Sequence, residues 1–177
     1  MRTAALALLV VGCASAPPPE PEVAPAPVAA GQPCELEGAP LRVPVAEGWA
    51  LASSPEGCLL VDETRDGVAL TLAALPHDLE GVDALGPDPR GFFRESGLLG
   101  AAPRFTGREP VSLLGGSAEG QAFVAELEGL GERAGLAVAR RVGPRWMVAI
   151  FFHAPGDDEA HGALVRALEA TTPDSGG

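Results

Sequence analysis

Few residues in this chain are suited to chemistry: three cysteines, three histidines and a glycine-rich stretch around one serine. His153, Asp157, Asp158 and His161 lie close together, and a strand end followed by a helix start would gather two imidazoles and two carboxylates into a candidate metal cluster. Their spacing matches no metal-ligand pattern, Asp157 suits a helix cap, and histidines at strand ends are commonly polar surface, so no metal is expected. Gly115-Gly116-Ser117-Ala118-Glu119 starts like a G-x-S-x-G nucleophile elbow, but Glu119 stands where the second glycine belongs. Gly115, Gly116 and Gly120 lack the lysine and Ser/Thr of a phosphate loop, and the stretch reads as a turn between strands. His77 has no evident partner. Arg140 and Arg141 point to opposite faces of their strand, so only one could join an anion site. No catalytic residue, cofactor-binding residue or metal ligand is assigned, and no cofactor is expected.

Cys13 is different, because its surroundings supply a chemical context. Arg2 is a charged start, Ala4 to Val11 a short apolar stretch, and Leu9-Val10-Val11-Gly12-Cys13 closes it with a small residue before the cysteine. This arrangement resembles a bacterial lipoprotein signal, which implies cleavage after Gly12 and lipidation of Cys13 by a diacylglycerol thioether and an amide-linked acyl chain. Several acyl chains together make a lasting anchor where one would not. Ala14 in place of aspartate favours the outer membrane under the enterobacterial sorting rule. The rival reading is ordinary secretion with cleavage after Ala14-Ser15-Ala16, which would leave Pro17 as the first residue. A spanning helix would need about 20 apolar residues, and Pro17, Pro18 and Pro19 interrupt the run too early.

Residues 1–12 are therefore read as signal, and residues 13–33 as the lipidated cysteine and a Pro/Ala-rich spacer. Pro17, Pro18, Pro19, Pro21, Pro25, Pro27 and Pro33 fix φ and remove backbone donors, giving a semi-rigid tether of at most about 60 Å. Cys34 and Cys58 are an even pair in a chain sent to an oxidising compartment, and a disulfide between them is expected. It would close a loop of about 24 residues, worth roughly 3 to 4 kcal/mol. No C-x-x-C spacing or neighbouring histidine points to redox or metal chemistry; free thiols remain the alternative.

The elements that must position these residues follow from the period of the apolar positions. One domain is expected over residues 34–172, with residues 173–177 as a flexible tail. Leu41 to Val45 and Cys58 to Asp62 read as short strands, and Val68 to Leu75 follows the turn at Arg65-Asp66-Gly67 as the second arm of a hairpin. Gln121 to Glu128 and Leu136 to Val142 form a second hairpin around Gly129-Leu130-Gly131. Trp146 to Phe152 is apolar on both alternating faces, as expected for a central strand covered on both sides. A helix is expected over Pro89 to Leu99, starting at Asp88 and presenting Phe92, Phe93 and Leu99. A second starts at Asp157 as N-cap, buries Ala160, Leu164, Ala167 and Leu168, and stops near Thr171 before Pro173.

Charge excludes some partners. The formal net charge is −12, every basic residue is arginine, and removal of Arg2 makes the exported chain one unit more negative. Such a chain repels nucleic acid and anionic lipid, so no nucleic-acid partner is expected.

Val43-Pro44-Val45-Ala46-Glu47-Gly48-Trp49 resembles the strand, Pro, Gly-Trp opening of the PsbP-like superfamily. The order that follows is similar: two strands, a helix with Phe92 and Phe93, a strand ending in Val111-Ser112-Leu113-Leu114-Gly115-Gly116, a long hairpin, an apolar strand and a C-terminal helix. The resemblance implies an α+β fold, an antiparallel β-sheet with helices packed on both faces (an α/β/α sandwich). The superfamily includes photosystem extrinsic subunits, Ran-binding proteins and envelope lipoproteins of the DcrB type, and it implies an accessory or binding role. Fold alone assigns no function. The resulting expectation is a membrane-anchored envelope lipoprotein, non-catalytic, whose domain sits in the periplasm and binds another envelope protein. The alternatives are a small-ligand or metal carrier, and an enzyme acting on an envelope substrate.

Overall fold

The computed structural model describes residues 31–76, 78–86 and 89–174. The signal, Cys13, most of the spacer, His77, the helix start expected at Asp88 and the last three residues lie outside them.

Seven strands form one antiparallel sheet. They are β3 (Trp49–Ser53), β4 (Gly57–Asp62), β5 (Ala69–Pro76), β6 (Ala101–Leu113), β7 (Gly116–Leu127), β8 (Gly131–Val142) and β9 (Arg145–His153). Their spatial order is β3-β4-β5-β9-β8-β7-β6, so β9 is central. Three short strands, β1 (Gln32–Cys34), β2 (Leu41–Val43) and β10 (Thr172–Pro173), form a second sheet in the order β1-β2-β10. Gln32 and Pro33, read above as part of the spacer, pair with Val43 and Arg42 in this small sheet. Pro173, expected in the tail, pairs with Leu41, and Asp174 is ion-paired to Arg42 at 3.0 Å.

The sheet is covered on both faces. Cys58, Leu60, Leu70, Leu72, Leu136, Val138, Met147, Ala149 and Phe151 pack under the small sheet and under helix α2 (Asp158–Glu169), which contributes Ala160, Leu164 and Leu168. On the other face Phe123, Ala125, Ala137, Val148 and Ile150 pack under a 3-10 turn (Val82–Leu85) and helix α1 (Pro89–Glu95). Successive residues of β9 enter opposite cores, which is why its sequence is apolar without alternation. The result is an α+β sandwich, an antiparallel sheet with helices packed on both faces.

Two local departures have physical causes. Helix α1 ends at Glu95, not Leu99: the Ser96 amide closes the last helical bond on the Phe92 carbonyl, and Gly97 takes φ 71°, a left-handed conformation that stops the helix. The strand expected to run through Gly116 ends at Leu113, because Leu114 (φ 52°) and Gly115 (φ 71°) form a two-residue turn into β7.

The Cys34–Cys58 disulfide is present, with both cysteines buried. It joins β1 of the small sheet to β4 of the large one.

Candidate functional site

The histidines meet where the strand end and helix start converge. Asp157 caps α2, its Oδ1 accepting from the Ala160 amide at 2.9 Å, and that cap sets the first turn so that His161 faces His153 at the end of β9. His153 Nε2 lies 3.1 Å from His161 Nδ1, and His161 Nε2 lies 3.0 Å from Glu109 Oε2 on β6. The Phe151 ring packs edge-on against His161 at 5.2 Å between centroids.

The hydrogen bonds fix most of the protons. His153 Nδ1 is 2.8 Å from the Ala154 carbonyl, which only accepts, so this nitrogen carries a proton. Three contacts need three protons, one more than two neutral imidazoles supply. Burial holds His153 below the ordinary histidine range, and the neighbouring His161 adds to this, while the Ala154 carbonyl, Asp157 and Asp158 act in the opposite sense.

Among the described residues no group of three His, Cys, Asp or Glu is placed to hold a metal ion. Asp157 is engaged in capping and in a contact with Arg65 at 3.9 Å. Arg65 also binds Asp62 at 2.6 Å, joining the β4–β5 turn to the start of α2. Burial opposes ionisation of Asp62, but hydrogen bonds from Thr64 and Arg65 outweigh it and hold its carboxyl below the usual range. The histidine chain thus fastens β9, α2 and β6 together, and no nucleophile stands within it.

The remaining sequence candidates are structural. Ser117 pairs with Ser112 just past the β6–β7 turn, in a hairpin rather than at a strand-to-helix elbow. Arg140 donates to the Leu113 and Leu114 carbonyls at 2.7 and 3.1 Å, closing that turn. A side chain at Gly116 would collide with its guanidinium, which accounts for a glycine there. Glu109 was not found from sequence, because it lies on a thirteen-residue edge strand whose register shifts twice, and no alternating pattern marks it.

Two depressions are candidates for binding. On the α2 face a groove of about 280 Å³ runs between Pro44, Ala46, Trp49 and Leu60 on one side and Ala163, Arg166, Ala167 and Ala170 on the other. Its helical wall is the second stripe of α2, beside the buried Ala160, Leu164 and Leu168. On the opposite face a hollow of about 400 Å³ lies between the 3-10 turn and α1, with Leu75 and Phe92 in its lining and Glu80 and Glu95 among its polar groups. Leu79 and Leu98 beside it are 43% and 47% exposed, among the most exposed large apolar residues described.

No protein-family profile matches the chain, and no curated protein matches it in sequence. Among solved structures, the chain is similar to cyanobacterial PsbP (CyanoP) from Synechocystis sp. PCC 6803, with TM-score 0.56 and 13% identity over 88% of this chain and 99% of that one. It is less similar to PA94 from Pseudomonas aeruginosa, a protein of unknown function described as a putative regulator, at TM-score 0.44 and 15% identity over 80% and 95% of the two chains. LpqN, involved in cell envelope biogenesis of Mycobacterium tuberculosis, gives TM-score 0.46 and 18% identity over 86% and 87%. The first of these supports the PsbP-like fold; the other two are too distant to carry an argument.

Proposed function

We propose that this chain is a lipid-anchored envelope protein, held through Cys13, whose domain is a non-catalytic binding module for another envelope protein. The hollow between the 3-10 turn and α1 carries the reading. A monomeric domain gains nothing by leaving Leu79 and Leu98 in water around an apolar floor, and exposed apolar patches of this kind mark interaction sites. Glu80 and Glu95 at its margin favour an apolar segment flanked by basic residues. Protein–protein interfaces bind through a few buried anchors surrounded by a polar rim. Anchoring in the membrane, with a spacer to lift the domain, would raise the effective concentration of a partner in the same envelope.

A photo-crosslinking residue placed at Leu98 in the intact, anchored protein tests this, with Leu130 on the β7–β8 loop as the control position. The expected result is a discrete adduct from position 98 and none from position 130, mapped by mass spectrometry to a basic apolar segment and lost on Leu79→Glu. Equal adducts from both positions, or none from 98, would remove the protein-binding reading. The anchor is tested separately: Cys13→Ala should shift the chain from the membrane fraction and abolish the lipid-modified mass. A Cys13→Ala chain that stayed in the membrane with wild-type mass would sink the anchoring proposal.

A further inference from the structure

The groove on the α2 face is chemically unlike the hollow opposite. Its walls are apolar, and its one charged member is a cation in a chain with 24 acidic residues and 12 basic ones. Arg42, Arg65, Arg104 and Arg108 each meet a carboxylate within 4 Å. Arg166, like Arg141 and Arg145, has no hydrogen-bonded or ion-paired partner among the described residues; its exposed guanidinium lies back along α2 over Gly162 at the edge of the groove. In a protein with twice as many anionic as cationic groups, a cation placed there makes the groove complementary to an amphipathic anion.

We propose that the groove between α2 and the Pro44–Trp49 segment binds a small amphipathic anion, a single short acyl chain ending in a carboxylate, with the chain against Trp49, Leu60, Ala163 and Ala167 and the carboxylate on Arg166. The volume decides the size class. About 280 Å³ lies at the small end of the range of roughly 300–1,000 Å³ usual for small-molecule sites, enough for one chain and too little for a diacyl lipid. The small side chains at 163, 167 and 170 keep the space open, since leucine at any of them would fill it. The planar guanidinium offers paired donors that fit a carboxylate, and an uncharged head would forgo them. The site is separate from the hollow of the preceding section: Leu60 lines it from the sheet face opposite the one that α1 covers.

Trp49 lies in the wall and reports occupancy directly. Decanoate and decanol are titrated into the unlipidated chain 14–177, which keeps every described residue, carrying Trp146→Phe so that Trp49 alone emits. Saturable binding of decanoate with a blue shift of Trp49 is expected. Arg166→Gln should weaken decanoate roughly three- to tenfold and leave decanol unchanged, and Ala163→Leu should abolish both. Ala163→Leu adds a good helix former on a half-exposed position, so folding is retained, and an unchanged circular dichroism spectrum verifies it. Equal weakening of both ligands by Arg166→Gln, undiminished binding to Ala163→Leu, or no binding at all would overturn the proposal. So would a gain of tenfold or more in decanoate affinity on deleting residues 14–30, because the spacer itself would then be the occupant. None of these outcomes depends on the crosslinking result at Leu98.

Discussion

Reducing the Cys34–Cys58 disulfide should cost the domain about 3.4 kcal/mol, a value set by chain entropy. The bridge spans a sequence separation of 24 residues, and the loop-closure relation then gives about 11.6 cal/mol/K, or about 3.4 kcal/mol at 25 °C. Both sulfurs sit among packed neighbours, so the native contacts of β1 and β4 survive reduction and the loss falls mainly on the unfolded state. Urea unfolding of the oxidised and reduced chains, followed by tryptophan emission and circular dichroism, measures it. With m of about 2 kcal/mol/M, the midpoint should fall by about 1.7 M, and Tm should fall by roughly 10 °C. The Cys34→Ala, Cys58→Ala double variant should behave like the reduced chain. A loss below about 1 kcal/mol would refute the reasoning. So would two separated transitions on reduction, since the small sheet would then unfold apart from the large one.

Three further outcomes follow from particular contacts. Because burial depresses His153, its contribution to stability is complete above the unfolded histidine pKa of about 6.5 and is lost as pH falls below it; unfolding free energies between pH 7.5 and 5 should decline more steeply for wild type than for His153→Gln, and parallel curves would contradict this. Asp157→Ala should cost about 1 kcal/mol by removing the α2 cap, read as a shift in urea midpoint, and a neutral change would mean that Arg65 and the first turn hold the helix without it. Gly135→Ala should prevent folding or lower Tm severely, because a Cβ there would strike the Phe151 carbonyl oxygen and the Phe123 ring; a stable variant would show that β8 can shift away from β9.

The parts of the fold that announced themselves in sequence are those whose burial is regular. Strand β9 was visible because consecutive residues enter two different cores, and α2 because Ala160, Leu164 and Leu168 repeat at helical spacing after an N-cap. What failed to show is irregular or borrowed. The first ten residues of β6 lie on a bulged edge, β1 and β10 are too short to carry a period, and β3 exposes much of both faces. For the same reason His153 and His161 could be paired by eye from their spacing, while Glu109, 52 residues away in sequence from His161, could not. The groove was invisible for another reason: Ala167 was read with the apolar face of the second helix, and only the corner at Pro44 and Trp49 turns it, with Ala163 and Ala170, into a wall.

In a chain held through Cys13 as proposed, the entry into the domain would bring the anchor close to the groove. In β1, Gln32 lies opposite Val43, and Gly31 packs beside Arg42 and Val43. Just past the end of β2, Pro44 and Ala46 are groove wall. A chain anchored at Cys13 would reach Gly31 through about 17 residues, spanning at most about 55 Å at roughly 3.1 Å each. The groove would then open at the end of the domain that the tether holds nearest the membrane, where single-chain amphiphiles are most concentrated. In a chain held through Cys13 as proposed, the disulfide would take a second role. Cys34 follows Gly31 by three residues, so a pull from the anchor would pass through β1 and the disulfide into β4, and from there into the large sheet. Without the bridge, that force would bear on the three paired residues of β1 and β2, which alone make a marginal sheet, and the groove wall at Pro44 would be the first part of the domain to move.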